Sequence, residues 1–164
     1  MGERADTAIV LLGGLVKIHK RGTLGEEVIL GLCGPGDLLG EIAAVRDAVR
    51  SATATALEAV HALVLGVLDL RAFLTAHPRA TVALLDLALA RLHVADERRV
   101  EFATAGSLAR VSSRLIELAE RFGSPGQDGA IEIGLPINQE ELASWSASSK
   151  ESTARALRTP ASSG

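Results

Sequence analysis

Between residues 8 and 67 apolar side chains fall in short runs broken by glycine, and after residue 69 they recur at helical intervals instead. In the first region "AIVLL" and "LVKIH" flank Gly13-Gly14, a pair that supplies the positive φ of a tight turn, so the pattern predicts a β-hairpin there. "EEVILGL" and the Thr/Ala alternation of "SATATA" predict further strands, with "HALVLGV" as a more buried one. Gly22, Gly25, Gly31, Gly34, Gly36 and Gly40 punctuate these strands at the spacing of a small barrel or roll.

In the helical region "DLRAFLTAHP" predicts a short helix with Asp69 as N-cap and a stop imposed by Pro78. From Arg79 to Phe102 there is neither Gly nor Pro, and Val82, Leu85, Leu89 and Leu92 recur at the three-and-four spacing of a helix seam. That seam either packs on the chain's own β unit or pairs with the same helix of a second copy, and the pairing is favoured. Gly106-Ser107 interrupts the helix. "SLARVSSRLIELAERFG" then restarts it with apolar residues at Leu108, Val111, Leu115, Ile116 and Leu118 before Gly123 closes it. Beyond a turn-rich "SPGQDG" and a short strand in "AIEIGL", two capping-box patterns, Asn138-x-x-Glu141 and Ser148-x-x-Glu151, each open a short helix. Two short capped helices joined by a tight turn outline a helix-turn-helix. The expected division is therefore residues 1–105, a sensor unit with its long helix (about 79–105), and residues 106–164, the helix-turn-helix module.

Composition narrows the classes of function. Of 164 residues 48% are hydrophobic and 23% charged, enough apolar material for a packed core. Three Phe, one Trp and no Tyr leave almost nothing for an aromatic base-stacking platform. The net charge of -3 provides no chain-wide basic footprint, so contact with nucleic acid has to come from a local patch. Cys33, the single cysteine, excludes an internal disulfide and a four-cysteine cluster, and reads as a buried or half-buried thiol. The opening "MGERADT" has no signal pattern and the apolar run at 60–68 is too short for a bilayer span, so no membrane and a cytoplasmic location are expected.

The candidate chemistry sits in "GPGDLLGEIAAVRDAVRSATATAL", residues 34–57, where Glu41 and Arg50 flank a short helix-like run. Backbone N–H groups at a helix start after Gly40 can meet an anion, Arg50 can neutralise it, Ser51 can add a hydroxyl donor and Glu41 can accept from a sugar hydroxyl. A ligand anionic at one end and hydroxylated at the other, such as a cyclic nucleotide, would suit this set. A structural Glu41–Arg50 ion pair across the turn would suit the spacing equally.

"GPGDLLGE" and "RSATATAL", followed by the long helix and "NQEELASWSASSKESTARAL", resemble in their order the cyclic-AMP receptor protein and fumarate-nitrate regulator family of bacterial transcription regulators. The resemblance runs over nearly the whole chain. It implies an α+β fold: a jelly-roll-like, cyclic-nucleotide-binding β-roll, a long dimerisation helix and a helix-turn-helix. It assigns Gly40, Glu41, Ile42, Ala43, Arg50 and Ser51 to the ligand, with Ala95 and Asp96 of the long helix at the base-contacting positions. Lys150, Glu151 and Arg155 resemble the base-edge readers, with Ser149 or Arg158 on phosphate. A cyclic nucleotide effector, cyclic AMP first, is implied, and the implied partners are a second copy, double-stranded DNA and RNA polymerase.

The chain departs from the family pattern in several places. Further roll strands are expected before "AIVLL" and a winged hairpin after Arg158, so the chain is expected to be truncated at both ends, with Pro160 ending the last helix early. Ala95 stands where an adenine-contacting threonine is expected. Ala147 replaces the usual turn glycine, and Ser146 and Thr153 replace apolar packing residues. These changes keep open a second reading, a nucleotide-sensing or dimerising module whose C-terminus binds DNA weakly.

His19, His61, His77 and His93 are dispersed and form no H-E-x-x-H, "GPGDLLGE" lacks the G-K-[ST] ending of a P-loop, and no nucleophile-elbow pattern occurs. An enzyme is not expected, and no metal site is nominated.

Overall fold

The computed structural model describes residues 6–23, 25–42 and 50–158, except for the side chain of Asp128. The chain divides into two units, Met1–Glu26 with Leu30–Ala95, and Glu27–Ile29 with Asp96–Gly164.

Six short strands, β1 (Thr7–Gly13), β2 (Val16–Arg21), β3 (Glu27–Cys33), β4 (Leu38–Leu39), β5 (Thr53–Ala56) and β6 (His61–Gly66), form two three-stranded sheets. One has the order β4-β1-β6 and the other β3-β2-β5. β1 runs antiparallel to β6, from Thr7 opposite Gly66 to Gly13 opposite His61, with an irregularity between Leu11 and Gly13. β2 is antiparallel to β5, Val16 opposite Ala56 through His19 opposite Thr53.

The predicted β1–β2 hairpin does not form. The two strands lie in different sheets, and Gly13-Gly14 is a corner between them. Glycine is required at 14 for two reasons: its φ is +83°, and a Cβ there would stand 2.3 Å from the Ala59 carbonyl oxygen. β6 is also less buried than its sequence predicts, with His61, Ala62, Leu63 and Val64 exposed. It is an edge strand among the described residues, pairing with β1 alone.

α1 (Val67–Ala76) leaves β6 directly and is capped by Gly66, not by Asp69. Asp69 lies in the first turn, and its carboxylate folds back to where a Cβ on Gly66 would be, so it complements the helix N-terminus from inside. Leu70 and Ala8 form a small core, with Leu38, Val67 and Leu74 packed against it. This core fixes the β1/β4 edge on which the candidate ligand loop sits.

Pro78 ends α1 and opens α2 (Pro78–Thr104), a first-turn position at which its missing N–H costs nothing. No residue of α2 is buried, and Val82, Leu85, Leu89 and Leu92 are all more than half exposed. α3 (Ser107–Phe122) is capped by Gly106 and closed by Gly123, as predicted. It buries Val111, Arg114 and Leu118, whereas Leu108 and Ile116, expected on its apolar face, are exposed.

A two-stranded ribbon, β7 (Ser124–Pro125) and β8 (Ile131–Glu132), is joined by a 3-10 turn at Gln127–Gly129. It leads to α4 (Gln139–Trp145) and α5 (Lys150–Arg158). Residues 159–164, where an early stop at Pro160 was expected, lie outside the described residues. Cys33 is half-buried, in line with its reading as a structural thiol.

Candidate functional site

The candidate ligand loop begins where the chain leaves β4. Gly40 has φ +79°, and a Cβ there would lie 2.7 Å from the carbonyl oxygen of Thr7. Glycine therefore lets the loop close onto the start of β1, and Glu41 follows at once as the first residue of a helical turn. Arg50 returns to the same point from the other end of the segment, its Nη2 donating to Thr7 Oγ1 at 2.9 Å. Thr7 thus meets two positions ten residues apart, with Gly40 passing close to its carbonyl and the guanidinium of Arg50 on its hydroxyl. Arg50 and Ser51 are exposed, Ile42 is exposed beside them in sequence, and Ala43 lies outside the described residues.

The carboxylate of Glu41 is engaged by Arg91 of α2, not by Arg50. Arg91 Nη1 donates to Glu41 Oε1 at 2.5 Å, Nη2 donates to the Leu38 carbonyl at 2.8 Å, and Asp37 stands 3.9 Å away. The side chains of Glu41 and Arg91 are only 17% and 34% exposed, so the pair is better shielded than a surface ion pair. Ala95, one helical turn beyond Arg91, is exposed on α2, and Asp96 is paired with Arg99 at 3.6 Å. Arg91 was not singled out in the sequence. It is the only cation in the apolar tract from Ala80 to Val94, and that isolation was the available signal.

The second unit builds the helix-turn-helix on a charged interior. Arg114, 7% exposed, donates to Glu101 Oε2 at 2.8 Å and lies 3.4 Å from Glu117. Arg98 Nη2 donates to both carboxylate oxygens of Glu117, at 2.8 and 2.9 Å. The Trp145 ring lies beneath two guanidiniums, 5.6 Å from Arg98 and 5.8 Å from Arg114. Burial pushes Arg114 below the ordinary guanidinium range; Arg98 adds to that push, and Glu101 and Glu117 oppose it. The network joins the C-terminal part of α2 to α3 and α4 through side chains that the sequence analysis did not single out.

α4 opens with the expected capping box, in which Asn138 Oδ1 accepts from Glu141 N at 2.9 Å and Glu141 Oε2 accepts from Asn138 N at 3.1 Å. The second predicted box does not form. Ser149, rather than Ser148, caps α5: its Oγ accepts from Ser152 N at 3.1 Å, while Ser148 Oγ donates to the Ser146 carbonyl at 3.2 Å. The shift of one residue follows from the turn between the helices. Ala147 N donates to Ser144 O at 3.2 Å and Ser148 N to Ala143 O at 2.9 Å, the paired bonds of a Schellman closure, with Ala147 in the left-handed region at φ 48°. Ala147 is the one non-glycine residue there among the described residues.

Ser146 and Thr153 are buried, as their positions in the motif require. Ser146 Oγ donates back to the Leu142 carbonyl at 2.8 Å, whereas Thr153 Oγ1 has no hydrogen-bond partner among the described residues. Ser149, Lys150, Glu151, Arg155 and Arg158 lie along the exposed side of α5 or its cap, and Lys150 pairs with Glu140 of α4.

Comparison with known proteins finds a domain match for each part of the chain. The profile of the cyclic nucleotide-binding domain matches residues 1–77, and that of the Crp-like helix-turn-helix domain matches residues 109–164. The chain is 30% identical over 156 residues to a CRP-like cAMP-activated global transcriptional regulator of Mycobacterium tuberculosis, covering 95% of this chain and 69% of that protein. A CRP-family transcriptional regulator from Thermus thermophilus superposes with a TM-score of 0.75 at 26% identity, over 95% of this chain and 75% of the other. A c-di-GMP responsive global regulator from Xanthomonas campestris gives a TM-score of 0.81 at 20% identity, over 96% and 78%, a likeness of fold.

Proposed function

The chain belongs to the cyclic-AMP receptor protein and fumarate-nitrate regulator family of transcription regulators, and from that premise we propose that it is a DNA-binding regulator controlled by a cyclic nucleotide bound between Glu41 and Arg50. The observation that supports the reading is the approach of Gly40 and Arg50 to Thr7, which sets an exposed guanidinium beside the point where the helical turn of Glu41 begins. The phosphate would take the N–H groups from Gly40 to Ala43 together with Arg50 and Ser51, and the ribose hydroxyl would take Glu41. Cyclic AMP is the first candidate, in keeping with the cAMP-activated relative. Ala95 offers no hydroxyl to an adenine edge, so base selectivity would be shallow.

Arg91 makes Glu41 a shared acceptor for ligand and long helix. A ribose hydroxyl bonding to Glu41 would share the carboxylate with Arg91, and any change this brings to the Arg91 contact would bias the pairing of two long helices in a homodimer and the spacing of two recognition helices. Double-stranded DNA is the partner of α5 in this reading, with RNA polymerase as the machinery it would contact and the cytoplasm as its place of action. Calorimetric titration of cyclic AMP into wild type and Arg50→Leu tests it. Loss of the guanidinium should cost about 2–5 kcal/mol of binding, since it leaves a phosphate unpaired. Equal affinity for the two proteins would move the ligand elsewhere. Cyclic GMP and cyclic di-GMP, titrated in parallel, report selectivity.

A second reading, a nucleotide-sensing or dimerising module whose C-terminus binds DNA weakly, is favoured by the buried Thr153 hydroxyl, which has no partner among the described residues, and the strained Ala147. It predicts the same nucleotide titration with no duplex selected over its scrambled counterpart.

A further inference from the structure

The turn between α4 and α5 carries strain that local sequence does not relieve. Ala147 occupies the left-handed conformation with φ 48°, and it falls just beyond the C-terminal end of α4, where the last carbonyls point out of the helix and the negative end of the helix dipole lies. One side chain answers all of this. Arg110, in the first turn of α3, donates from Nε to Ser146 O at 2.9 Å, from Nη2 to Ala147 O at 2.7 Å and from Nη1 to Ala105 O at 2.6 Å. Its guanidinium carbon lies 5.4 Å from the centroid of the Phe102 ring.

We propose that Arg110 is the positioning residue of the recognition helix: a single guanidinium grips both turn carbonyls and the carbonyl of the α2–α3 joint, holding Ala147 in the conformation that glycine would otherwise supply. The inference rests on the DNA-binding reading of α5. The chemistry requires arginine. The three acceptors, Ala105, Ser146 and Ala147, are met by three N–H groups of one planar fork, and a lysine ammonium is a point donor on a flexible stem that cannot match that geometry. Gripping the joint and the turn together also gives α5 a fixed orientation with respect to the end of α2, which base reading in a groove requires. Arg110 thus compensates for the missing glycine, and the two positions should be coupled.

The test uses the 164-residue chain as wild type, Arg110→Ala, Arg110→Lys and each of these combined with Ala147→Gly. Amide hydrogen exchange is followed at Ala147 and Ser148, with Leu118 of α3 as internal reference. Arg110→Ala should accelerate exchange at the turn by about tenfold relative to Leu118, the weight of a charge-assisted hydrogen bond, and Ala147→Gly should largely cancel that acceleration. In parallel, the ratio of affinities for a duplex enriched by wild type from a randomised library over its scrambled version is measured well below each melting temperature. That ratio should fall about tenfold in Arg110→Ala and in Arg110→Lys, as expected for loss of one good base contact, and recover with Ala147→Gly. Exchange that speeds up uniformly, or a ratio that stays constant while stability falls, would reduce Arg110 to ordinary packing and overturn the proposal. A wild-type chain that enriches no duplex contradicts the DNA-binding reading instead, and the exchange pattern alone then upholds or overturns the clamp.

Discussion

At the residue scale, two substitutions in the helix-turn-helix that looked equivalent in the sequence have different physical outcomes. Ser146 and Thr153 are both buried, but the Ser146 hydroxyl returns its proton to the Leu142 carbonyl, while the Thr153 hydroxyl finds no acceptor among the described residues. A buried, unsatisfied hydroxyl costs about 1–3 kcal/mol, and valine is nearly the same shape. Thr153→Val should therefore stabilise the module by roughly 1–2 kcal/mol, raising its melting midpoint by several degrees. Ser146→Val should bring no comparable gain, because the hydroxyl it removes is already satisfied. Trp145, the single tryptophan, lies inside the module and gives a fluorescence signal for the thermal scan. An unchanged midpoint for Thr153→Val would mean that the hydroxyl is paired after all. The positions of Ala147, Ser146 and Thr153 could be read because a helix-turn-helix fixes which residues turn and which pack. The partners of Arg91 and Arg110 could not: apart from Ala105, their acceptors lie 36 to 53 positions away, and although the isolation of Arg91 in its apolar tract marked the residue, no local pattern encodes a partner at that distance.

At the element scale, periodicity gave the helices well and the strand pairing poorly. Glycine, proline and the apolar spacing located α1 through α5 to within a few residues, because helix ends are set by neighbours in the chain. Strand partners are set by residues far away. Gly13-Gly14 was correctly read as a place where the chain must turn, but β1 takes its neighbours from β4 and β6, about 30 to 60 residues on, and the turn becomes a corner. The long helix shows the reverse case, in which a sequence stripe survives folding uncovered. Val82, Leu85, Leu89 and Leu92 are 54–66% exposed in the single chain, and the three-and-four spacing fits a paired helix. A homodimer through this stripe is the expected state. Leu89→Glu would set two like charges into the seam and should yield monomers at micromolar concentration in light scattering or sedimentation. A wild type that is itself monomeric there would remove the element through which two sensors could be coupled.

At the scale of the whole molecule, the proposed nucleotide site and the helix-turn-helix module each contact residues of α2. α2 carries Arg91 on Glu41 in the first unit, and in the second its residues Arg98 and Glu101 enter the buried network around Arg114 and Trp145. On the proposed function, a ligand that alters the Glu41–Arg91 contact would act on a helix whose C-terminal residues belong to the unit carrying the helix-turn-helix. Coupling of this kind is reciprocal, so an effector that tightens DNA binding must itself bind more tightly when DNA is present. The direct test is a fluorescence-anisotropy titration of a labelled duplex, selected by the wild-type chain, with and without saturating cyclic AMP at one fixed salt concentration. Cyclic AMP should tighten binding by about tenfold, a typical coupling between two sites; identical curves in the two titrations would mean that no such coupling exists.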